Sequence, residues 1–409
     1  MSWVSRVAPS EVVDAWRSRA LPERLIFLLL LLYALMCPLT IGGAQACAAL
    51  AFLLWVIRFP ARRPGRLAAP QFVLPLVLLI ALSLLSIVFS LDPVESLWSA
   101  RNLLLFLVVP LVLWNVESAA EAVALLAALA AGALVTTAWG AVQVLIGAGG
   151  GEAGRRLTGF LGHYMTAGGE LMLASLALLA AALWARRRGP RVAAAAAATL
   201  LVVGLGLTQS RNAYVGLAVG VVALLLLWRP GLVALLPFAL SLAVLVSPPL
   251  VRERIFSIAD LEDASIRHRL GMVSAGARIT ADFPLFGAGL QQVEEIYPRY
   301  KRPPESADVA HLHNNVLQIA AERGIPTALV WLWLIGALAW GHWRLARDTA
   351  RPPSLRAFAV GGFAAVAAMF AAGMFEYNFG DSEVLMLFLM LVTLPYAIGA
   401  AAARAEEKA

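Results

Sequence analysis

The amino-acid sequence predicts an all-α polytopic membrane protein with about twelve transmembrane helices and a large, partly helical outward-facing loop. Hydrophobic residues make up 61% of the 409 residues and charged residues only 14%, and the mean hydropathy is +0.80. Soluble domains carry about 25% charged residues, so a water-soluble fold is excluded. The first apolar run, Leu25 to Leu39, has no small-residue cleavage site, and we expect it to be a retained span.

The apolar runs and the basic residues between them predict the topology. Crossing the hydrocarbon takes about 20 apolar residues in a helix. Such runs begin near Arg24, Gly42, Gln71, Asn102, Ala119, Thr166, Val192, Asn212, Gly231, Asn314, Leu355 and Asp381. If the N-terminus is cytoplasmic, every Arg-dense short connection also lies on the cytoplasmic side, as the positive-inside rule requires. Both termini are then cytoplasmic, and the net charge of +7 reflects topology rather than nucleic-acid binding.

We expect one integral membrane domain over residues 1–409, with the outward segment 249–313 inserted between spans nine and ten. This segment is too long to be a simple connection. Ile266, Leu270, Val273 and Ala277 have helical spacing, which predicts a helix from Asp263 to Asp282. Its apolar face would lie on the membrane surface or on the other helices. The residues PLFGAG then predict a turn, and a second short element should run from Leu290 to Tyr300 and end at Pro303 and Pro304.

His313 is the residue that most strongly indicates chemistry. It opens the polar start of a predicted span, in the stretch AHLHNNVLQIAAERGIP. The positive end of a helix dipole and the nearby arginines should keep its imidazole neutral, and therefore able to accept a proton near pH 7. The alternative is an interfacial histidine that only hydrogen-bonds the loop. His311 is interpreted as a loop residue.

Polar residues follow His313 along the same predicted helix. Asn315, Gln318 and Glu322 share one helix face, and Asn314 precedes them. Amides and a carboxylate on one stripe of a membrane helix must face protein or water. They would form either a buried network that fixes helix packing or a surface that contacts a substrate.

Several outward-facing arginines have no role in topology. Arg211 lies in a very short turn, in TQSRNAYVG, and Arg269 lies in the long segment. A forked guanidinium suits phosphate, although Arg211 could instead extend to lipid head groups. Arg267 and Arg278 offer the same chemistry as secondary candidates. Arg156 lies in a glycine-rich outward loop.

Carboxylates between the last two spans are further candidates. Glu376 and Asp381 lie in FEYNFGDSEV, where they could orient arginines or bind sugar hydroxyls, or simply form a solvated turn. The sequence has no D-x-D pair, Walker loop, G-x-S-x-G elbow or metal-spaced Cys/His set, so we expect neither a metal nor another cofactor. Cys37 and Cys47 are interpreted as small packing residues.

These motifs together resemble the O-antigen ligase and polymerase superfamily of bacterial envelope enzymes. The resemblance is strongest from Asp263 to Pro326, in DASIRHRL, PLFGAG and HNNVLQIAAERG. The Ser210–Arg211 turn, the R-x-x-G-x-x-x-H loop from Arg156 and the S-x-D-P segment at Ser90 also match. Val273 departs from the pattern, which favours tryptophan there.

The resemblance implies a GT-C-like fold of twelve helices in the bacterial inner membrane, with a periplasmic loop over a lipid-facing cavity. It implies transfer of O-antigen polysaccharide from undecaprenyl diphosphate to a sugar hydroxyl of lipid A-core, with inversion and without a metal. His313 would be the general base, and Arg211 and Arg269 would bind the diphosphate. O-antigen polymerisation and oligosaccharide transfer to protein are alternatives in the same superfamily. A twelve-helix secondary transporter is the alternative from another class.

Overall fold

The computed structural model describes Trp16 and residues 19–58, 70–151, 154–185, 187–247, 249–257, 264–302 and 308–408. Helices make up 80% of the structure. The part of the chain that it describes contains no β-sheet, only an isolated bridge between Gly150 and Arg156. The predicted all-α polytopic class is therefore confirmed. Asp263, where the first helix of the outward segment was predicted to begin, lies outside the described residues, and so do Pro303 and Pro304, where the second element was predicted to end.

Nine helices among the described residues are long and apolar enough to cross a membrane. They are α2 (Ile41–Arg58), α4 (Pro93–Asn115), α5 (Ala119–Leu145), α6 (Tyr164–Trp184), α7 (Arg188–Thr208), α8 (Arg211–Trp228), α14 (Ile325–Arg347), α15 (Pro353–Ala372) and α16 (Ser382–Lys408). Three shorter apolar helices are α1 (Leu21–Met36), α3 (Val73–Val88) and α9 (Pro230–Val246). Between α9 and α14 lie α10 (Pro249–Phe256), α11 (Ala264–Asp282), α12 (Gln292–Tyr300) and α13 (Asn315–Arg323).

Each predicted span corresponds to one of these helices, but two of the predicted starts are wrong. The fourth span begins at Pro93 rather than near Asn102. The Asp92 side chain caps this helix by accepting hydrogen bonds from the backbone N–H groups of Val94 and Glu95. The middle of α4, Ala100–Leu107, is a 3₁₀ helix.

The second correction concerns the helix that follows His313. The predicted tenth span from Asn314 is in fact two helices, the nine-residue α13 and the membrane-length α14. Gly324 separates them with a φ of +86°, and a Cβ at this position would overlap the Leu285 carbonyl. Pro326 lies in the first turn of α14, where proline favours a new helix start. His313 therefore precedes a short helix outside the membrane spans.

The centre of the bundle is formed by α6, α15 and α16, which are the most buried membrane-length helices. Small residues allow these helices to approach each other closely. Gly216 of α8 faces Met172 of α6 and the Ala368 carbonyl of α15, so a side chain at this position would have no space. By contrast, α2 is mostly exposed on the outside of the bundle.

The outward segment shares a small apolar core with α13, formed by buried residues of α11, α12 and α13 and of the turns between them. This core contains Met272, Ala275, Ile279, Ala288, Val293, Ile296, Tyr297, Leu312 and Ala321. The predicted helix over residues 263–282 is present as α11, but its buried face is not the predicted stripe. Leu270 and Val273 are 58% and 45% exposed. The predicted stripe therefore does not pack on the other helices. Contact with the membrane surface stays a prediction for these residues.

The PLFGAG turn, Pro284 to Gly289, holds the outward segment against the bundle through backbone hydrogen bonds. The N–H groups of Ala288 and Gly289 donate to the carbonyls of Ala321 and Glu322, at 2.8 and 2.9 Å. These carbonyls lie in the last turn of α13, where helix carbonyls lack intrahelical partners. Gly287 has a φ of +70° and lies against the backbone of Glu322 and Arg323, so only glycine fits there.

Candidate functional site

The candidate site lies at one end of the helix bundle, where α6, α8 and α16 begin and α15 ends. The Arg-dense connections lie at the opposite ends of these helices. Two adjoining cavities open here and share Met165 and Asn212 in their walls. We call them the arginine cavity and the acidic cavity. The arginine cavity is lined by Tyr164, Gln209, Ser210, Arg211, His268, Arg269, Met272 and His313. The acidic cavity is lined by residues that include His163, Thr166, Gln291, His311, Gln318, Glu376, Asn378 and Asp381.

His313 connects the two cavities. It lines the arginine cavity, while its Nδ1 lies 2.8 Å from both carboxylate oxygens of Glu376, in the wall of the acidic cavity. The backbone at His313 has a φ of +48°, a left-handed conformation that non-glycine residues rarely adopt. His313 lies immediately before the helix cap Asn314. Rare backbone conformations of this kind cluster at functional sites.

The Glu376 carboxylate sets the roles of the two imidazole nitrogens. Glu376 is buried, and burial raises its pKa, but the hydrogen bond and charge of His313, aided by His311, outweigh this and leave the pKa below its ordinary value. When the imidazole is neutral and donates its Nδ1–H to this carboxylate, the other nitrogen, Nε2, is left with a lone pair. A histidine with this orientation can act as a general base.

His311 lies in the loop before α13, as predicted, but it also belongs to the same cluster. Its ring centroid is 4.2 Å from that of His313, in an edge-on arrangement. Its Nδ1 lies 3.7 Å from Glu376 Oε1 and has no hydrogen-bond partner. Burial lowers the pKa of His311 to about 4, although Glu376 opposes this shift, so His311 is neutral near pH 7.

Arg211 and Arg269 line the same cavity as His313, although they come from different helices. Arg211 is the first residue of α8 and is only 6% exposed. The preceding turn is tight because Gln209 adopts a left-handed conformation, and Ser210 donates to the Tyr164 carbonyl at 2.9 Å. Arg211 donates to the Ser257 carbonyl at 3.0 Å. The arginine cavity thus combines two guanidinium groups with a histidine, which suits a phosphate-containing ligand.

The other predicted arginines line neither cavity. Arg267 is exposed on α11. Arg278 donates to the Tyr300 carbonyl and, at 2.7 Å, to Ser274 Oγ, which connects α11 to the end of α12. Arg156 lies 4.5 Å over the Tyr164 ring and pairs with the backbone of Gly150. In this structure Arg278 and Arg156 have structural contacts, and a phosphate role for Arg267, Arg278 or Arg156 has no geometric support.

The polar stripe on α13 forms a buried network. Gln318 accepts from the Leu312 N–H at 2.7 Å and donates to Glu322 at 2.8 Å, and Glu322 also accepts from the Gln291 N–H at 3.0 Å. Asn315 is fully buried and donates to Asn378 at 2.7 Å. Burial raises the pKa of Glu322, while Arg323, Gln318 and the Gln291 N–H oppose the shift.

This network supports the packing interpretation of the stripe. Asn314 caps α13 by accepting from the Leu317 N–H at 2.9 Å. Gln318 also lines the acidic cavity, so one member of the stripe is positioned to contact a ligand as well. Gln318 also holds the loop that carries His311 and His313, because it accepts from the Leu312 N–H, while Asn315 and Glu322 bond to Asn378 and Gln291.

Asp381 also lines the acidic cavity. Its carboxylate accepts a hydrogen bond from Thr166 Oγ1 at 2.6 Å and from the Val384 N–H at 3.3 Å, so it connects α6 to the start of α16. With Gln318, Asn378 and Glu376 it gives this cavity many hydrogen-bonding groups. Such a wall suits a ligand with many hydroxyl groups.

The fold and the site define a multi-pass membrane protein with a basic and an acidic cavity at one end of its bundle and a histidine between them. Residues 196–332 match the family model described as O-antigen ligase. This third of the chain, which carries Arg211, Arg269 and His313, is similar to the O-antigen ligase/polymerase superfamily, and the match supports the resemblance seen in the sequence motifs. Members of the matched family are glycosyltransferase-like enzymes that act in the context of a lipid-linked glycan and membrane lipid. No curated protein matches the chain.

Sequence reasoning included Glu376 only as a supporting residue and did not include its pairing with His313. The two residues are 63 positions apart, so no spacing rule could connect them. The sequence signal that was available is a group of carboxylates, Glu376, Asp381 and Glu383, in the short connection between two spans, a position where a carboxylate requires a partner.

Proposed function

We propose that the protein is an O-antigen ligase, which transfers O-antigen polysaccharide from undecaprenyl diphosphate to a sugar hydroxyl of lipid A-core. The observation that carries the proposal is the position of His313, which lines one cavity with Arg211 and Arg269 and pairs with Glu376 in the wall of the other. The family match, which covers Arg211, Arg269 and His313, supports it. The distribution of arginine between the two ends of the helices supports a periplasmic site in the inner membrane, with cytoplasmic termini.

In the proposed step, His313 Nε2 accepts the proton of the acceptor hydroxyl. The freed oxygen attacks the anomeric carbon of the donor glycan, and the bond from that carbon to the diphosphate oxygen breaks. Glu376 stabilises the imidazolium that forms, because it holds the Nδ1–H. Arg211 and Arg269 neutralise the charge on the departing undecaprenyl diphosphate, so no metal ion is assigned to the step. A single direct displacement inverts the anomeric configuration.

The two cavities suggest how the substrates divide. The guanidinium groups assign the donor diphosphate to the arginine cavity. The acidic cavity, with its carboxylates and amides, suits the hydroxyl-rich acceptor sugar. His313 lies where the two cavities meet, which is where a base must lie to take a proton from one substrate as that substrate attacks the other.

In vitro transfer with purified protein tests the proposal. The reaction contains undecaprenyl-diphosphate glycan with or without lipid A-core, and no metal or nucleotide, and His313→Ala is run alongside. A glycan-bearing lipid A band that requires the acceptor and His313 supports a ligase, and linkage analysis should show inversion. Longer undecaprenyl-linked chains formed without the acceptor would instead identify a polymerase. Glycan on an added protein acceptor would identify an oligosaccharyltransferase, and no transfer at all would overturn the enzyme assignment in favour of transport.

A further inference from the structure

A cluster of two histidines and one carboxylate lies at the junction of the two cavities. Within the part of the chain that the structure describes, His311, His313 and Glu376 form the one group of three such side chains whose potential ligand atoms lie within 4.8 Å of one another. His313 Nδ1 is 2.8 Å from Glu376, and His311 Nδ1 is 3.7 Å from it. The two Nδ1 atoms therefore converge on one carboxylate.

We propose that this cluster is an inhibitory site for a transition-metal cation of the zinc type, bound by His311 Nδ1, His313 Nδ1 and Glu376. Imidazole nitrogens and a carboxylate oxygen are ligands that Zn²⁺ accepts, at about 2.0 to 2.2 Å. Ligand atoms around a tetrahedral ion with such bonds are roughly 3.4 Å apart. The two observed separations, 2.8 and 3.7 Å, lie on either side of this value, so shifts of roughly 0.3 to 0.6 Å would bring both of them to it.

The missing hydrogen-bond partner of His311 Nδ1 is independent evidence for a ligand. This nitrogen is shielded from solvent and has no hydrogen-bond partner. A buried polar atom without a partner is costly, and structures rarely retain one without a reason. The nitrogen faces Glu376 at a distance too long for a hydrogen bond but suited to two ligands of a shared ion. The fourth position of the ion would be open to water.

Binding of the cation would inactivate the general base. This consequence depends on the proposed function, in which His313 Nε2 accepts the proton. A metal ion bound to Nδ1 of a neutral imidazole replaces the proton there, so the single ring proton moves to Nε2. Nε2 then donates rather than accepts, and Glu376 is bound to the ion instead of supporting the imidazolium. No net proton is lost, and no redox change is needed.

A direct binding measurement tests the site without any substrate. The protein, without a polyhistidine tag and stripped with chelator, is titrated with Co²⁺ and Zn²⁺. Co²⁺ absorption reports the coordination geometry, and equilibrium dialysis gives the zinc stoichiometry. We expect one tightly bound zinc ion per chain and a loss of affinity of about tenfold or more in His311→Gln. His163→Gln is the matched control, because His163 lines the acidic cavity but lies outside the cluster.

A second variant keeps the result interpretable if His311→Gln folds poorly. His313→Gln removes a different ligand and should weaken zinc binding to a similar extent, while both variants elute from size exclusion as the wild type does. Absence of stoichiometric binding in the wild type, or equal affinity in the wild type and both variants, would overturn the site.

Transfer assays then test the inhibition. Zinc should suppress transfer by the wild type, and chelator should restore it. Transfer by His311→Gln, expressed relative to the zinc-free rate of the same variant, should persist at zinc concentrations that stop the wild type. Transfer by the wild type that is unaffected by saturating bound zinc would refute the inhibitory role. If the wild type shows no transfer even in chelator, the proposed function fails, while the outcome of the binding measurement stands.

Discussion

His313 and Glu376 are 63 residues apart in the chain, yet the histidine Nδ1 lies 2.8 Å from both oxygens of the buried carboxylate. This pair is possible because the α15–α16 hairpin brings Glu376 beside the loop that precedes α13. Asn315 reinforces the same junction, since it accepts from the Phe379 N–H at 3.1 Å and its own N–H donates to the Gly373 carbonyl at 2.7 Å. The base and its supporting carboxylate are thus held by two separate elements of the bundle.

Removal of either partner should impair transfer, but to different extents. We expect His313→Ala to reduce turnover by about 10²- to 10⁴-fold, because the proton acceptor is lost. Glu376→Gln should reduce it on the order of 10²-fold with little change in donor KM, because the amide cannot stabilise the imidazolium. Steady-state transfer kinetics measure both effects. Glu294→Gln, the same charge change at an exposed position of α12, should behave as the wild type.

Arg211→Lys should weaken the reaction although it keeps the positive charge. Lysine cannot reproduce the two parallel hydrogen bonds of a guanidinium, and the loss of one charge-assisted bond corresponds to roughly 10- to 100-fold. The variant is compared with Arg267→Lys, which makes the same exchange at an exposed position outside both cavities. Unchanged turnover and donor KM in Arg211→Lys would remove this residue from the diphosphate site.

Glu322→Gln should stabilise the protein above acidic pH. Burial raises the pKa of Glu322, so the folded protein holds a proton that the unfolded chain releases above its ordinary pKa near 4.5. Wild-type stability therefore falls as pH rises from 4.5 through the raised folded pKa. The glutamine variant lacks this fall and can still accept from the Gln291 N–H.

Thermal unfolding in detergent at pH 4.5 and pH 7.5 measures the Glu322 effect. The variant should gain about 2 °C in Tm over the wild type at the higher pH and little at the lower. An equal Tm difference at both pH values would show that the carboxylate is not protonated preferentially in the fold.

Gly287→Ala should detach the outward segment from the bundle. A Cβ at this position would overlap the backbone of Glu322 and Arg323, and the residue has a φ of +70°. We expect a cost of roughly 2 to 4 kcal/mol, together with faster proteolysis between α9 and α14. Gly206→Ala is the control, because nothing lies within 4 Å of its added carbon, and it should be tolerated. Equal protease resistance in the two variants would contradict this account of the turn.

The spans were predictable from the sequence because their length and apolar composition follow from the thickness of the hydrocarbon. The tenth span was placed wrongly because HNNVLQIAAERG reads as a continuous helix that runs into the apolar residues after it. Its end at Gly324 depends on the contact with Leu285, which belongs to a separate loop. Leu270 and Val273 have the spacing of a buried face, yet the buried face of α11 is the one that packs on α12 and α13.

The site was predictable to the extent that its chemistry is local. His313 beside an amide-rich helix start, and Arg211 beside a very short turn between two spans, are visible in the sequence. The cavity that Arg211 shares with Arg269, and the exclusion of Arg267 from it, depend on how α11 is oriented over α8. The contact between His311 and His313 was missed because alternate residues in a loop need not point the same way.

The backbone attachment of the PLFGAG turn has a consequence for how such enzymes can diverge. Hydrogen bonds between main-chain groups do not depend on side-chain identity, apart from the glycines that allow the close approach. The Leu91 N–H, which donates to the Ala288 carbonyl at 2.9 Å, extends the same kind of bond to the segment before α4. The exposed residues of α11 and α12, on either side of the turn, can therefore change without loss of the hydrogen bonds that attach the turn to α13. Chimeras that exchange α11 and α12 around an unaltered turn should therefore keep the attachment of this segment to α13.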